Sequence, residues 1–257
     1  MRPKDRQLEV RLGRGEQDRL AAARLRYTVF VEEMGGDGPL VDHQNRFEQD
    51  RFDPYCDHMI LVDTACDPAS LNHVVGVYRL MTEKAAQDVG QFYSEDEYDL
   101  AVLKSSGRRL LELGRSCVAK DYRGGQALAL LWDGLADFVI SHEIEVMFGV
   151  ASFHGTDIKD FSAPLSHLYY NHLAPMDLRV MAREGVYQRM DLLPEERLDR
   201  VAAMRDVPSL MKSYLRLGGF VGDGAFIDHS FNTTDVCLVM DTKRMNAAAR
   251  ARYGRKS

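Results

Sequence analysis

Residues 111–132, LELGRSCVAKDYRGGQALALLW, join an apolar strand to an apolar helix through a basic, glycine-bearing turn, and two charges, Glu112 and Arg115, sit inside the strand. Ionised side chains are seldom withdrawn into a sheet, and a turn that offers free amides at a helix start is suited to an anion. The two features together point to a reaction site. Alternation along a strand puts Leu111 and Leu113 on one face and Glu112 on the other, while Glu112 and Arg115, three apart, face opposite ways. A bulge at Gly114 would bring both charges to one side and free backbone groups for a ligand. The alternative is a structural ion pair at a sheet edge.

In the turn, Lys120 and Arg123 supply positive charge, and Gly124, Gly125, Gln126 and Ala127 lead into the helix. Amides and cations can converge there on a phosphate. Two glycines ahead of a helix also make a plain tight turn.

A chain of 257 residues, 45% hydrophobic and 28% charged, is long enough for one large domain with a substantial core. Its four cysteines, Cys56, Cys66, Cys117 and Cys237, are widely scattered, unlike a zinc site or a secreted disulfide framework, and fit a reducing cytoplasm. The N-terminal MRPKDRQLEV has charges but no apolar stretch, and no segment reaches the ~18 uninterrupted apolar residues of a membrane span. The expectation is a cytoplasmic chain that neither exports nor spans. A net charge of −6 argues against a general nucleic-acid binder. The histidines show no HxxxH spacing, so no metal site is expected.

Alternation over residues 8–13 predicts a short strand, and the stripe Leu20, Ala23, Tyr27, Phe30, Met34 predicts a helix that Gly35 and Gly36 stop. Residues 37–57 read as a long polar loop. HMILVDT (58–64) and HVVGVYRLM (73–81) predict an antiparallel hairpin. A helix around 95–105, strands over 109–118 and 146–153, helices over 126–142 and 163–173, and a strand over 186–193 follow. Pro194 marks a soft boundary between a core, 1–193, and an extension, 194–257, with a helix over 196–217, a strand over 234–241 and a basic tail.

Other charged groups sit at informative positions. Arg26 and Phe30 are four apart and therefore neighbours on the first helix. Asp50 and Asp53 put two carboxylates in the acidic loop, where a solvated loop is the default and an amine-bearing ligand the alternative. Arg79 places a cation where the strand pattern expects burial, so it needs a carboxylate partner. Cys117 reads as a small buried hydrophobe, and Tyr169 and Tyr170 as core packing.

RYTVF, QDRFD, VYRL and LELGR occur in the order and approximate spacing of the acyl-homoserine-lactone synthases, which share the GNAT acyltransferase fold. Arg26, Phe30, Asp50, Asp53, Arg79, Glu112 and Arg115 match that pattern. The chain more closely resembles the bacterial L-ornithine N-alpha-acyltransferases of ornithine-lipid synthesis through LGRSCVAKDYRGGQALALLW, VASFHGTD and SYLRLGGFVGDGAFIDHSFNTTDV, over nearly its whole length. The tryptophan that signal synthases carry after their first helix is absent; Gly35 and Gly36 stand there, and the sole tryptophan is Trp132.

The resemblance implies a GNAT-like α/β fold with a central mixed, mostly antiparallel sheet flanked by helices. It implies transfer of a (3-hydroxy) fatty acyl group from acyl carrier protein to the α-amine of ornithine. No cofactor is permanently bound; the donor is the acyl-phosphopantetheine of the carrier, held by Lys120, Arg123, Gly124, Gly125, Gln126 and Ala127. Glu112 takes the amine proton and Arg115 assists at the reacting centre, while Arg26, Phe30, Asp50, Asp53 and Arg79 hold the amino acid. Acidic carrier protein needs a cationic rim, for which Lys104, Arg108, Arg109, Lys120 and Arg123 are candidates. Residues 127–139 or the extension could line an acyl channel, and a lipid-like product allows peripheral contact with the inner face of the membrane. The competing readings are signal synthesis, acetyl transfer from coenzyme A, and a non-catalytic domain that binds carrier or lipid.

Overall fold

The computed structural model describes residues 6–39 and 41–245; most of the basic tail expected after residue 241 lies outside them. The strands, in chain order, are β1 (Leu8–Leu12), β2 (Asp57–Asp63), β3 (Val74–Thr82), β4 (Tyr98–Asp99), β5 (Leu110–Val118), β6 (Val146–His154), β7 (Met181–Ala182), β8 (Phe220–Val221), β9 (Phe226–Asp228) and β10 (Thr233–Asp241). The helices are α1 (Gly15–Arg26), α2 (Glu83–Val89), α3 (Ala101–Lys104), α4 (Gly125–Ser141), α5 (Ser162–His172), α6 (Arg200–Asp206) and α7 (Ser209–Arg216). Two compact units emerge, Met1–Gly90 with Leu113–His142, and Gln91–Glu112 with Glu143–Ser257. Pro194, the expected boundary, falls inside the second.

In the first unit β1, β2, β3 and β5 are successive hydrogen-bonded neighbours. β1 runs antiparallel to β2, with Val10 opposite Leu61, and β2 antiparallel to β3, with His58 opposite Arg79, so the predicted hairpin forms. Ala21, Ala22, Leu25 and Val29 of the first helical segment pack with Ile60, Val62, Val74, Val77 and Cys117, and Phe30 and Met34 lie alongside. Of the predicted stripe, Ala23 and Tyr27 are buried, Phe30 and Met34 flank this cluster and Leu20 is half-buried, so the apolar face is wider than predicted. Residues 20–23 are all apolar, LAAA, so hydrophobicity alone could not choose between adjacent faces. From Tyr27 to Glu33 the helix widens into π turns. Gly35, at φ 74°, ends it, with Gly35 N donating to Val31 O at 3.0 Å. On α4, a Cβ at Gly134 would lie 2.8 Å from Val10 Cγ2 and 2.9 Å from Met59 Sδ, so glycine is what lets this helix pass so close to β1 and β2.

In the second unit β5 starts parallel to β6, with Glu112 opposite Phe148. β6 then pairs antiparallel with β10 from Thr233 opposite His154 to Asp241 opposite Val146, and β10 also pairs with β8 and β9. β4 and β7 form a separate two-stranded ribbon. The buried Tyr98 hydroxyl is shared between Gly224 O at 3.1 Å and Asp235 O at 3.0 Å. The parallel β5–β6 pairing beside antiparallel ladders, with helices alongside, is the mixed α/β arrangement expected.

Three elements differ from expectation. The helix around 95–105 is a 3₁₀ turn (Tyr93–Asp96), then β4 and the short α3. Residues 186–193 carry one bridge, Gln188 to Ala225, in place of a strand. The helix over 196–217 is broken into a 3₁₀ turn (Glu195–Arg197), α6 and α7. Asp199 caps α6 through Val201 N and Ala202 N, and Pro208 forces Val207 into an extended conformation, which ends it.

Candidate active site

Arg26 closes α1, Arg79 sits in β3 and Arg115 in β5, and all three turn towards the loop that precedes β2. Arg26 Nε donates to Glu48, and its Nη1 to Asp53 Oδ1 at 2.6 Å. Arg79 Nη1 reaches Asp53 Oδ1 at 3.1 Å and Asp50 Oδ2 at 2.5 Å. Arg115 Nη2 meets the same Asp50 oxygen at 3.0 Å, and its Nε meets Glu48 Oε1 at 3.2 Å. Followed round, Asp53, Arg26, Glu48, Arg115, Asp50 and Arg79 form a closed ring in which every charge lies between two of opposite sign. The loop braces itself as well, with Asp50 N donating to Asp53 Oδ2 at 2.8 Å and Phe52 N to Asp50 Oδ1 at 2.9 Å. His58 Nε2 lies 3.4 Å from Asp53 Oδ1.

The ring is mostly withdrawn from water. Side-chain exposure is 4% or less for Arg26, Glu48, Asp53 and Arg79, but 17% for Asp50 and 11% for Arg115. Its accessible edge is the Asp50–Arg115 pair. Burial alone would raise the carboxylate pKa values, yet Arg26 and Arg79 hold Asp53 far below the usual range. Arg26 and Arg115 likewise outweigh burial at Glu48, and Arg79 and Arg115 at Asp50. Phe52 packs beneath, its ring centroid 5.7 Å from the Arg79 guanidinium carbon and 4.8 Å from that of Arg51. Phe30 is half-buried beside the α1 core.

The irregularity in β5 lies one residue after Gly114. Arg115 has φ 51°, a left-handed conformation that a non-glycine residue seldom takes, and the ion pairs to Glu48 and Asp50 hold it there. In the second unit, Glu112 is buried and its carboxylate accepts from Tyr93 N and Ser94 N, both at 2.7 Å, and from Ser94 Oγ. The 3₁₀ turn that replaced the expected helix thus delivers three donors to this carboxylate.

The turn before α4 is a 3₁₀ turn, Lys120–Tyr122, then Arg123 and an extended Gly124. Lys120, Arg123, Gly124 and Gln126 are exposed and Ala127 is buried. Arg123 Nη2 pairs with Glu33 at 2.6 Å and its Nε donates to Val118 O at 3.0 Å. A Cβ at Gly124 would meet nothing within 4 Å, so internal packing does not explain the glycine. Among the described residues no side chain caps α4, and Gly125, at its first position, opens a helix of 17 residues. Of the other cations considered for a rim, Lys104 pairs with Glu95, Arg108 with Asp241 and Arg109 with Glu143, each within the second unit.

Glu48, His58 and Tyr122 escaped the sequence reading. Glu48 lay in a stretch whose polarity reads as solvated loop; the signal was Glu48, Asp50 and Asp53 within six positions, three carboxylates to match three arginines in apolar settings. Cys117 is core, its thiol pushed up to about 12 by burial. Tyr169 and Tyr170 pack edge to face on α5, ring centroids 5.3 Å apart. Glu97, Asp228 and Asp235 bring one oxygen each within 4.8 Å of one another in the second unit.

An acetyltransferase (GNAT) domain profile matches residues 25–133, which span the ring, β5 and the turn. The chain is 56% identical, over 96% of its length and 95% of the relative, to an L-ornithine N(alpha)-acyltransferase of Rhodobacter capsulatus. It is 43% identical, over 96% of its length and 89% of the relative, to the enzyme of that name from Brucella abortus. Among solved structures, the CoA-dependent acyl-homoserine lactone synthase BjaI, with SAM and isopentyl-CoA, superposes with a TM-score of 0.53 at 12% identity, covering 98% of this chain and 92% of that one. The fold is therefore that of the GNAT acyltransferases, and the chain belongs to the L-ornithine N(alpha)-acyltransferase family.

Proposed function

We propose that this enzyme moves a 3-hydroxy fatty acyl group from the phosphopantetheine thioester of acyl carrier protein to the α-amine of ornithine, forming a lyso-ornithine lipid. The observation that carries the acceptor is the 56% identity, over 96% of the chain, to the Rhodobacter capsulatus enzyme. The donor is an acyl thioester, and the carrier protein is the finer part of the proposal.

The amine arrives largely protonated and must lose a proton to attack. Glu112, directly or through water, receives it. The nitrogen then bonds to the thioester carbonyl, and strand amides beside the irregular Arg115 stabilise the tetrahedral oxyanion. When the C–S bond breaks, the nitrogen sheds its second proton and the departing thiolate takes one up. An amino acid is a zwitterion, and the accessible Asp50–Arg115 edge offers an anion and a cation 3.0 Å apart to its ammonium and carboxylate. Asp53, which binds both Arg26 and Arg79, and Arg79, which reaches Asp50, hold that edge in place, and Phe30 supports the first helix beneath it.

Lys120 and Arg123, with the amides of Gly124, Gly125, Gln126 and Ala127, form the donor cradle at the α4 N-terminus. No described helix is long and apolar enough to cross a membrane. The proposed setting is the cytoplasm, with peripheral contact at the inner membrane face where the lipid product leaves, and nucleic acid plays no part.

Purified protein given 3-hydroxyacyl carrier protein or 3-hydroxyacyl-CoA, with ornithine, lysine, glutamine and glycine together, is read by product mass. N-acyl-ornithine formed faster from the carrier supports the proposal. Another dominant amide, a lactone from S-adenosylmethionine, or no transfer overturns it.

A further inference from the structure

We infer that Tyr122 is a positioning residue for the acyl donor, anchoring the amide-bearing turn before α4 to a buried carboxylate at the end of β2. The Tyr122 hydroxyl donates to Asp63 Oδ2 at 2.8 Å, and Asp63 has no exposed surface. The other Asp63 oxygen accepts from Gln7 N and Ala65 N, both at 3.1 Å, and Asp63 N donates to His73 O at 2.8 Å. Asp63 is thereby tied to the lead-in of β1, the exit of β2 and the approach to β3, and Tyr122 connects the turn to that junction. The Arg6 guanidinium lies over the tyrosine ring, 4.1 Å from its centroid.

Burial and the neighbouring Asp63 push the Tyr122 hydroxyl up, so it stays a donor, while its hydrogen bond helps hold Asp63 low despite burial. A charge-assisted hydrogen bond of this kind is directional and strong. The turn's own bonds stay close in sequence: Tyr122 N donates to Ala119 O at 2.8 Å and Arg123 Nε to Val118 O at 3.0 Å, while Arg123 N reaches Lys120 O only at 3.3 Å and the Arg123–Glu33 pair is exposed, where solvent screens it. A Cβ at Gly124 would meet nothing within 4 Å, so packing does not steady that residue, and the next buried side chain is Ala127. Tyr122 is the half-buried tether, to a buried carboxylate, of a segment whose use depends on being set before the ligand arrives.

The inference rests on the reading of this turn as the donor cradle, and the test separates the two. Steady-state kinetics with acyl carrier protein and ornithine compare the wild type with Tyr122→Phe, Arg6→Gln and Gly124→Val. Tyr122→Phe is expected to raise the donor KM about tenfold, with kcat and ornithine KM within about twofold, and to speed hydrogen exchange at the amides of residues 123–127. Arg6→Gln, a milder change that spares the hydroxyl, is expected to raise donor KM about two- to threefold and serves if Tyr122→Phe does not fold. A purely structural role would lower the folded fraction and move kcat with neither KM. If Gly124→Val raises donor KM but Tyr122→Phe and Arg6→Gln do not, the inference falls and the cradle stands. If Gly124→Val leaves donor KM unchanged, the cradle itself is misplaced.

Discussion

Asp53, in the loop before β2, and Arg26, at the end of α1, meet at 2.6 Å with almost no surface exposed on either side chain. Removing one partner of such a pair strands the other in a poorly hydrated site. Asp53→Asn should cost ~3–5 kcal/mol of folding stability, read from urea unfolding midpoints. A cost below about 1 kcal/mol would mean that water reaches the ring.

Acid should dismantle the ring in a defined direction. Glu48, Asp50 and Asp53 all have folded-state pKa values lowered by their arginines, against the opposing effect of burial. An unfolded chain therefore binds protons before the folded one does as pH falls. The contribution is complete above the unfolded carboxylate values of about 4 and drains away as pH drops through and below them. Unfolding midpoints should stay flat from neutrality to about pH 5 and then fall, more shallowly in Asp53→Asn because one of the three linked carboxylates is gone. Equal slopes would place the acid sensitivity elsewhere.

Glu112→Gln should lower kcat by about 100-fold or more while changing ornithine KM little, since loss of a general base acts on the chemical step. The amide also sets an NH₂ against one of the donors that the carboxylate accepts from, so some loss of stability should accompany it. Product formation measured alongside thermal melting separates the two; full activity in the variant would remove Glu112 from the reaction.

Reversing Lys120 and Arg123 to glutamate should raise KM for acyl carrier protein far more than KM for ornithine, and more than KM for an acyl-CoA, because the carrier surface is acidic. The effect should shrink as salt is added. Equal losses for all three substrates would count against a carrier-facing turn.

Long buried runs were legible: β2, β3, β5, β6 and β10 lie within a residue or so of where apolar, β-branched segments place them, and α4 follows from a continuous apolar stretch. Six charged residues of the candidate site, Arg26, Asp50, Asp53, Arg79, Glu112 and Arg115, were visible because each broke an apolar pattern or matched a known order. What stayed hidden depends on partners distant in sequence. Glu48 looks solvated until Arg115, 67 positions away, is seen beside it. Tyr122 looks like an ordinary turn residue until Asp63, 59 positions away, receives its hydroxyl. The missed breaks near 95–105 and 196–217 are of another kind, since helix-favouring composition there was overridden by capping and by Pro208.

A ring that alternates sign all the way round has a consequence for how this protein can change over generations. Single substitutions at Arg26, Glu48, Asp50, Asp53, Arg79 or Arg115 break two links at once, and neutralising one member leaves the other five with a surplus unit of charge. Viable variation must then come as matched exchanges that preserve the balance, a far narrower route than drift one position at a time.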